Sequence, residues 1–331
     1  MDKTICRLNY IGSKYKLLDW IVTIIKEKSG WDTLEDKHFA DLFAGTGIVS
    51  LHLRNLGAIV TANDAELYSY IITSAFALSS YNSKIEEIIK ELNDSQDSTV
   101  GYITTHYSPY NANERKFFTI ENAMRIDYFR TRIEEFKEQL TKDEYNFLLA
   151  SLIVSADAVS NVPAVYGCYL KNFKDKAKKN IVLQAIHMCT DTPKNGSIVF
   201  NSDVISQNML ENLQSSYFDV VYLDPPYNER QYSKNYFPLN IIAKTPEQLT
   251  DEPALKGKTG IPANCFISAF CKRNMSAQNS FKSLLKNIKS KWIFVSYNSE
   301  SIVSKQEMIE IMQEYGNVSI VEQDYKRFKS F

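Results

Sequence analysis

An α/β fold, with a parallel sheet carrying helices on both faces and a mostly helical insertion, is predicted for these 331 residues by three observations. Residues 39–43 read as a short buried strand that runs into the turn Ala44-Gly45-Thr46-Gly47, then a helix through Leu51 and Leu53 that stops at Gly57, then a second strand at 58–62. Strand, glycine turn, helix and strand in that order make a βαβ unit, for which parallel pairing is the strong default. Strand-like apolar runs then return only at 197–200, 218–223 and 291–297. Between these two sets, helical spacing of apolar residues dominates 67–92 and 115–152, separated by a polar stretch at 93–113. The sheet is therefore split along the chain: residues 1–70 and 196–331 are expected to form one domain around it, and residues 71–195 an inserted region with its own helices.

The remaining elements follow from the same periodicities. Leu17, Leu18, Ile21, Ile24 and Ile25 fall at helical spacing over 14–28, giving an amphipathic helix entered through Tyr10-Ile11-Gly12-Ser13. Helices are expected near 204–213, near 281–288 and over 305–315, and two β segments around 318–322 and 325–328 should close the chain as a hairpin.

With 44% hydrophobic and 23% charged residues, the chain can bury one large core and carry a smaller module besides. It holds no apolar run of about 18 residues, and Met1-Asp2-Lys3-Thr4 lacks the layout of a secretory signal, so a soluble, cytoplasmic protein is expected. Five cysteines without a C-x-x-C pair and four dispersed histidines predict reduced thiols and no metal site. A net charge of -1 argues against non-specific coating of nucleic acid, which needs a basic footprint. Positive charge is instead local. Residues 171–180 carry five lysines (Lys171, Lys174, Lys176, Lys178, Lys179) against Asp175, residues 282–291 carry four lysines and no acid, and Lys326, Arg327 and Lys329 cluster near the end. Any one such run also suits an ordinary solvated face.

The residues most specific for chemistry are Asp224-Pro225-Pro226-Tyr227, directly after the apolar strand Val220-Val221-Tyr222-Leu223. An aromatic exocyclic amine is a poor nucleophile because its lone pair is delocalised into the ring. Its methylation calls for acceptors that hold the amine hydrogens and favour a pyramidal nitrogen, and the Asp224 carboxylate and the Pro225 carbonyl can both accept. The two prolines fix φ and remove backbone donors, which makes a rigid corner, and Tyr227 offers a flat face on which a base turned out of a duplex can stack.

Asp41-Leu42-Phe43-Ala44-Gly45-Thr46-Gly47 comes next in weight. Gly45 and Gly47 allow a tight turn and close approach of a cofactor, and the following helix start offers free N–H groups. Ser50 stands where the dinucleotide fingerprint has its third glycine, which disfavours a pyrophosphate cofactor. Asp64 ends the second strand, where an acid can hold both ribose hydroxyls or merely cap the next helix. No Pro-Cys dipeptide occurs, which disfavours methylation at a cytosine ring carbon.

Tyr10-Ile11-Gly12-Ser13-Lys14, the 41–47 turn, Asn63-Asp64, Asn201-Ser202-Asp203 and Asp224 to Tyr227, in that order, resemble the Dam-like N6-adenine DNA methyltransferases over nearly the whole chain. The resemblance implies a Rossmann-like, S-adenosylmethionine-dependent methyltransferase domain with a target-recognition region inserted at 71–195. It implies that Tyr10 and Lys14 contact the methionine portion of S-adenosylmethionine, that Asp41, Phe43, Ala44, Gly45, Thr46 and Gly47 belong to its binding turn, that Asp64 takes the ribose and Asp203 the adenine amino group. It implies double-stranded DNA as substrate, base flipping, and service in a restriction-modification system with a cognate endonuclease as candidate partner; monomer and dimer stay open. Residues 161–180 are similar to the family's recognition region, so Tyr166 and the five lysines of 171–179 are expected on DNA. Arg230 and Tyr232, just after the tetrad, and Lys326 and Arg327, in a segment that looks like the family's late hairpin, are expected there too. Arg115, Arg125, Arg130 and Arg132 read mostly as ion-pair partners of nearby glutamates. Two rivals remain: the same chemistry on cytosine N4 in DNA or adenine N6 in RNA, and a catalytically silent DNA-binding subunit that kept the fold.

Overall fold

The computed structural model describes residues 5–273, 275–298 and 300–324. In chain order its helices are α1 (Leu18–Ser29), α2 (Ile48–Asn55), α3 (Leu67–Leu78), α4 (Ser83–Asp94), α5 (Tyr102–Tyr107), α6 (Ile120–Glu135), α7 (Lys142–Ala158), α8 (Gln207–Ser215), α9 (Tyr232–Asn235), α10 (Phe237–Ala243), α11 (Pro246–Thr250), α12 (Ser276–Asn287) and α13 (Lys305–Gln313). The strands are β1 (His38–Asp41), β2 (Ile59–Asp64), β3 (Ile198–Asn201), β4 (Phe218–Leu223), β5 (Leu255–Lys256), β6 (Ile261–Pro262) and β7 (Ser290–Val295).

Five strands form one parallel sheet in the order β3-β2-β1-β4-β7, as the split βαβ pattern predicts. From β1 the chain moves outward through β2 to β3, then returns to the other side of β1 for β4 and β7. The order reverses between β1 and β4, and in open α/β sheets the crevice beyond the carboxyl ends at such a point is where ligands bind. Both faces of the sheet are covered, which explains strands that are apolar throughout. On one face Phe39, Val60 and Val220 pack with α1, α2, α3 and α7, and Phe147 and Ile153 of α7 belong to that same core. On the other, Ala40, Leu42, Val221 and Leu223 meet Met209 and Leu213 of α8, Phe281 and Leu284 of α12, and Met308 of α13. Helix α7 is buried nearly all round from Asn146 to Asp157 and starts with a capping box of Thr141 and Glu144.

Several elements depart from the periodicities. The polar stretch 93–113 contains α5, whose amino end is held by a side chain distant in sequence: the Asp127 carboxylate accepts from the N–H groups of Gly101, Ile103 and Thr104 and from the Thr104 hydroxyl. Residues after the tetrad form α9 to α11 and the short antiparallel pair β5–β6, elements not marked by the periodicities. Residues 318–322 form no strand, and the expected second half of the closing hairpin at 325–328 lies outside the described residues. Among the described residues, no helix is long and apolar enough to cross a membrane.

The turn after β1 depends on Gly47. Its φ of 68° is left-handed, and a Cβ there would come within 2.9 Å of the Thr73 backbone on α3. Gly30, which ends α1, has a similar φ of 72° with nothing within 4 Å. Gly47→Ala therefore meets both backbone strain and overpacking, together about 2–4 kcal/mol, and Gly30→Ala only the strain, about 1–2 kcal/mol. Urea unfolding of the two variants should show the larger loss at Gly47; equal losses would mean that the contact with α3 carries no cost.

Candidate active site

The carboxyl ends of β1 and β4 open into a cleft lined by Phe43 to Thr46 of the glycine turn, Asp64, Asp203, the tetrad and the 10–14 segment, with Gly47 set back against α3. The parallel register sets Asp41 beside Tyr222, so the turn after Asp41 and the tetrad after Leu223 leave the sheet as neighbours. Pro225 is buried, while Asp224, Pro226 and Tyr227 are half-buried and face the cleft, and Ile302 N–H donates to the Tyr227 carbonyl at 3.0 Å to anchor the corner.

The turn is closed by hydrogen bonds from outside it. Gly47 N–H donates to the Ala44 carbonyl (2.8 Å), Ala44 N–H to Asn63 O (3.0 Å), and the Ser69 hydroxyl to the Gly45 carbonyl. Asp64 holds Gly45 N–H on one carboxylate oxygen (2.7 Å) and Glu66 N–H on the other (2.9 Å). Asp64 thus braces the turn and the approach to α3 and also lines the cleft. Asp203 lines the same cleft and accepts from Ile205 N–H at 3.2 Å.

Buried acids dominate the electrostatics. Burial pushes the Asp41 carboxyl up to about 7, opposed chiefly by the Ser50 hydroxyl that donates to it at 2.8 Å. Burial also raises Asp64 and Asp224; Asp224 is opposed by Lys14, whose ammonium lies 2.5 Å from its carboxylate and 3.1 Å from the Gly12 carbonyl. Lys14, expected to serve a cofactor carboxylate, therefore also pairs with the first residue of the tetrad.

Tyr10 stacks on both Tyr236 (ring centroids 4.7 Å apart) and Tyr232 (5.4 Å), which lie 6.2 Å from each other, so the three rings form one cluster. Ile11 N–H donates to the Tyr236 hydroxyl, and the Tyr232 hydroxyl donates to the Ile11 carbonyl. Tyr232, expected among DNA contacts, is thus packed into the wall of the cleft, because its ring completes the stack on Tyr10. Tyr166 is corrected outright. It is fully buried, its hydroxyl donates to Asp157 at 2.8 Å and its ring stacks on Phe117, so it fills the core and offers no surface to DNA.

Of the lysine run, Lys171, Lys174, Lys178 and Lys179 are exposed, whereas Lys176 is half-buried and its ammonium is pushed down by burial. Arg230 is exposed beside the cleft segment, and Lys326 and Arg327 lie outside the described residues. Arg130 and Arg132 form ion pairs with Glu134, Glu135 and Glu91, but Arg115 donates to the carbonyls of Lys258 and His106 and Arg125 to those of Asp97 and Leu92.

The sequence reading missed part of the wall. Gln231 holds both the N–H (2.9 Å) and the carbonyl (3.3 Å) of Ser268, pinning a segment whose Phe266, Ser268 and Phe270 line the cleft. Glu66 and Tyr222 line it too, and one buried atom there, Asn63 Oδ1, meets no hydrogen-bond partner among the described residues. Tyr222 could have been found, since it alternates with Asp224 on one strand face. Glu66 and the 263–271 segment carry no motif.

A cleft lined by acids, a lysine and aromatic rings at the carboxyl ends of β1, β2 and β4 fits an organic cofactor bearing both charged and nucleoside groups. Among the described residues no cluster of His, Cys, Asp or Glu is arranged to hold a metal ion.

Glu66 yields a pH-dependent stability. Burial pushes its carboxyl up to about 8, with Asn240 donating to it at 2.6 Å. An acid raised by folding binds its proton more tightly in the native state, so its effect is absent below the unfolded pKa near 4.5 and stability falls as pH rises from there to about 8. Glu66→Gln keeps the neutral acceptor for Asn240. Denaturant unfolding between pH 5.5 and 7.5 should lose about one proton's dependence, roughly 1.4 kcal/mol per pH unit, in that variant; an unchanged slope would mean that Glu66 is ionised in the folded protein.

Residues 10–311 match the family described as D12 class N6 adenine-specific DNA methyltransferase. The chain is 40% identical over 327 residues to Type II methyltransferase M.CviAII of Paramecium bursaria Chlorella virus 1, covering 98% of this chain and 93% of that protein. It is 37% identical over 326 residues to Type II methyltransferase M.NlaIII of Neisseria lactamica, again covering 98% and 93%. With Type II methyltransferase M.FokI of Planomicrobium okeanokoites it shares 32% identity over 340 residues, covering 98% of this chain and 50% of that protein. These likenesses take in every element of the sheet and the cleft, and they select DNA adenine among the amino targets left open by the tetrad. The chain belongs to the D12 class of N6 adenine-specific DNA methyltransferases.

Proposed function

We propose that the cleft binds S-adenosylmethionine together with one adenine turned out of double-stranded DNA, and that Asp224, the Pro225 carbonyl and Tyr227 prepare its N6 for methylation. The reading is carried by the register that sets Asp41 beside Tyr222, which brings the glycine turn and the tetrad into one cleft. When bound, S-adenosylmethionine supplies a sulfonium methyl group open to in-line displacement.

Within this reading the chain's residues divide the work. Gly45 and Gly47 let the backbone approach the cofactor, with Phe43, Ala44 and Thr46 completing the cradle. Tyr10 and Lys14 face the methionine end, Asp64 the ribose and Asp203 the adenine amino group of the cofactor. At the target, the Asp224 carboxylate and the Pro225 carbonyl each accept one amine hydrogen, which localises the nitrogen lone pair, while Pro226 keeps the corner rigid and Tyr227 stacks on the base. Lys14 opposes the effect of burial on Asp224 and so favours the charged, accepting form.

The exposed lysines 171, 174, 178 and 179, with Arg230, are assigned to DNA phosphates, within a target-recognition region spanning 71–195 and inserted between catalytic parts 1–70 and 196–331. Because the relatives are Type II methyltransferases, we assign the chain to a cytoplasmic restriction-modification system, protecting sites from a cognate endonuclease.

Two measurements test the assignment. Asp224→Ala should lower tritiated-methyl transfer to duplex DNA about 10²–10³-fold at saturating cofactor, with N6-methyladenine as the nucleoside product of the unaltered enzyme. Equal transfer by both proteins would remove Asp224 from the mechanism, and would leave a DNA-binding role for the fold. Replacing Lys171, Lys174, Lys178 and Lys179 together by Gln should flatten the dependence of log binding constant on log salt by up to about 3.5. An unchanged slope would place the run away from the DNA.

A further inference from the structure

The short pair β5–β6 closes a hairpin in which Lys256 stands opposite Ile261 on the ladder. Lys256, Gly257 and Lys258 at its turn are exposed. The hairpin is nevertheless firmly seated on the inserted region. The Tyr107 hydroxyl, at the end of α5, donates to the Gly260 carbonyl at 3.0 Å in the interior, and Arg115 Nε donates to the Lys258 carbonyl at 3.1 Å. A Cβ at Gly260 would come within 2.7 Å of Arg115 Cζ, so glycine there lets the guanidinium lie against the hairpin.

The next residue reaches the other way. Lys116 Nζ donates to the Lys171 carbonyl at 3.0 Å, so two adjacent residues hold both the hairpin and the first lysine of the 171–179 run. The cations gathered here differ from many others in the chain. Lys84, Arg130 and Lys137 are paired with carboxylates, whereas among the described residues Arg115, Lys116, Lys171, Lys256 and Lys258 form no ion pair, and the first two bond backbone carbonyls instead. Glu252, which precedes the hairpin, is buried and paired with Lys244. Carbonyls orient a cation without cancelling its charge, so the positive charge of this surface is left for a ligand from outside. The hairpin ends at Pro262, and Phe266, four residues and at most about 14 Å of chain further on, lines the cleft.

We propose that the β5–β6 hairpin grips the backbone of duplex DNA, with Lys256 and Lys258 on phosphates near the adenine presented to the cleft. This rests on the reading of the cleft and the 171–179 lysines as the DNA-facing side of the protein. Phosphate contacts fix the register of a protein on its duplex, and a turn already seated on the fold gives up little freedom in making them. The DNA surface thereby crosses from the inserted region into the chain that follows the tetrad.

The test compares two double variants of equal charge: Lys256→Gln with Lys258→Gln, and Lys286→Gln with Lys289→Gln. The second pair is also exposed but lies just before β7, at the amino end of the sheet and away from the cleft. Binding of a fluorescein-labelled duplex of mixed sequence is followed by anisotropy at several salt concentrations, together with the Tm of each protein. The hairpin variant should flatten the dependence of log binding constant on log salt by about 1.8, which is 0.9 for each phosphate released, while the other variant keeps the slope and all Tm values agree. An unchanged slope in the hairpin variant, equal flattening in both variants as expected of a general field, or a lower Tm for the hairpin variant would overturn the assignment. Lack of salt-dependent binding by the unaltered protein would instead sink the DNA reading of this side, and is seen in the arm without substitution.

Discussion

The side-by-side pairing of β1 and β4 is the constraint on which the rest of the site depends. The register that sets Phe39 beside Val220, Ala40 beside Val221 and Asp41 beside Tyr222 fixes where each strand ends relative to the other. Because side chains alternate with a period of two, a slip of one residue would turn Asp41 and Tyr222 into opposite faces and would carry Asp224 away from the cleft. The apolar faces on both sides of the sheet make such a slip costly, since it would exchange residues that belong to two separate cores. Register, in this protein, sets the chemistry.

A second layer of order comes from aromatic packing. The segment 10–14 has no regular secondary structure at its start, yet its Tyr10 ring packs against two tyrosines of the helix-forming segment that follows the tetrad, and the N–H and carbonyl of Ile11 are held by their hydroxyls. Offset stacking adds about 0.5–1.5 kcal/mol per pair beyond burial. The parts of the chain nearest its start and just after Asp224 are thereby joined into one wall, and Lys14 is delivered to Asp224 by that join.

The βαβ unit, the glycine turn and the tetrad were legible because each is written in adjacent residues with strong local signatures. Parallel pairing followed from them, whereas the strand order, with its reversal between β1 and β4, is set by how the distant strands β3, β4 and β7 add to the first unit. What could not be read is what depends on residues distant in sequence. Helix α5 exists in a polar stretch because Asp127, far along the chain, caps it. Tyr166 sits in a motif-like, glycine-flanked segment next to a lysine run, which suggested surface, but the buried Asp157 draws its hydroxyl inward. Tyr232 was placed with the basic residues around it, whereas its partner is Tyr10 at the other end of the chain. Glu66 has no local signature at all; its importance arises from burial beside Asn240 of α10.

These buried acids also explain how one cleft can suit a positively charged ligand without holding excess negative charge. Asp41, Asp64, Glu66 and Asp224 all border it, and burial disfavours ionisation of each. The protein opposes this unequally. Asp64 receives two backbone N–H groups, and Asp224 receives a lysine. Asp41 receives the Ser50 hydroxyl and burial still pushes it up to about 7, while Glu66, held by the Asn240 amide and the Ser233 backbone, is pushed by burial up to about 8. A cation entering near Asp41 would favour its ionised form, so the charge that holds the ligand is raised in part by the ligand itself. In an unliganded cleft the same four acids would repel one another less than their number suggests, which is how a fold can keep so many carboxyls together and still be stable.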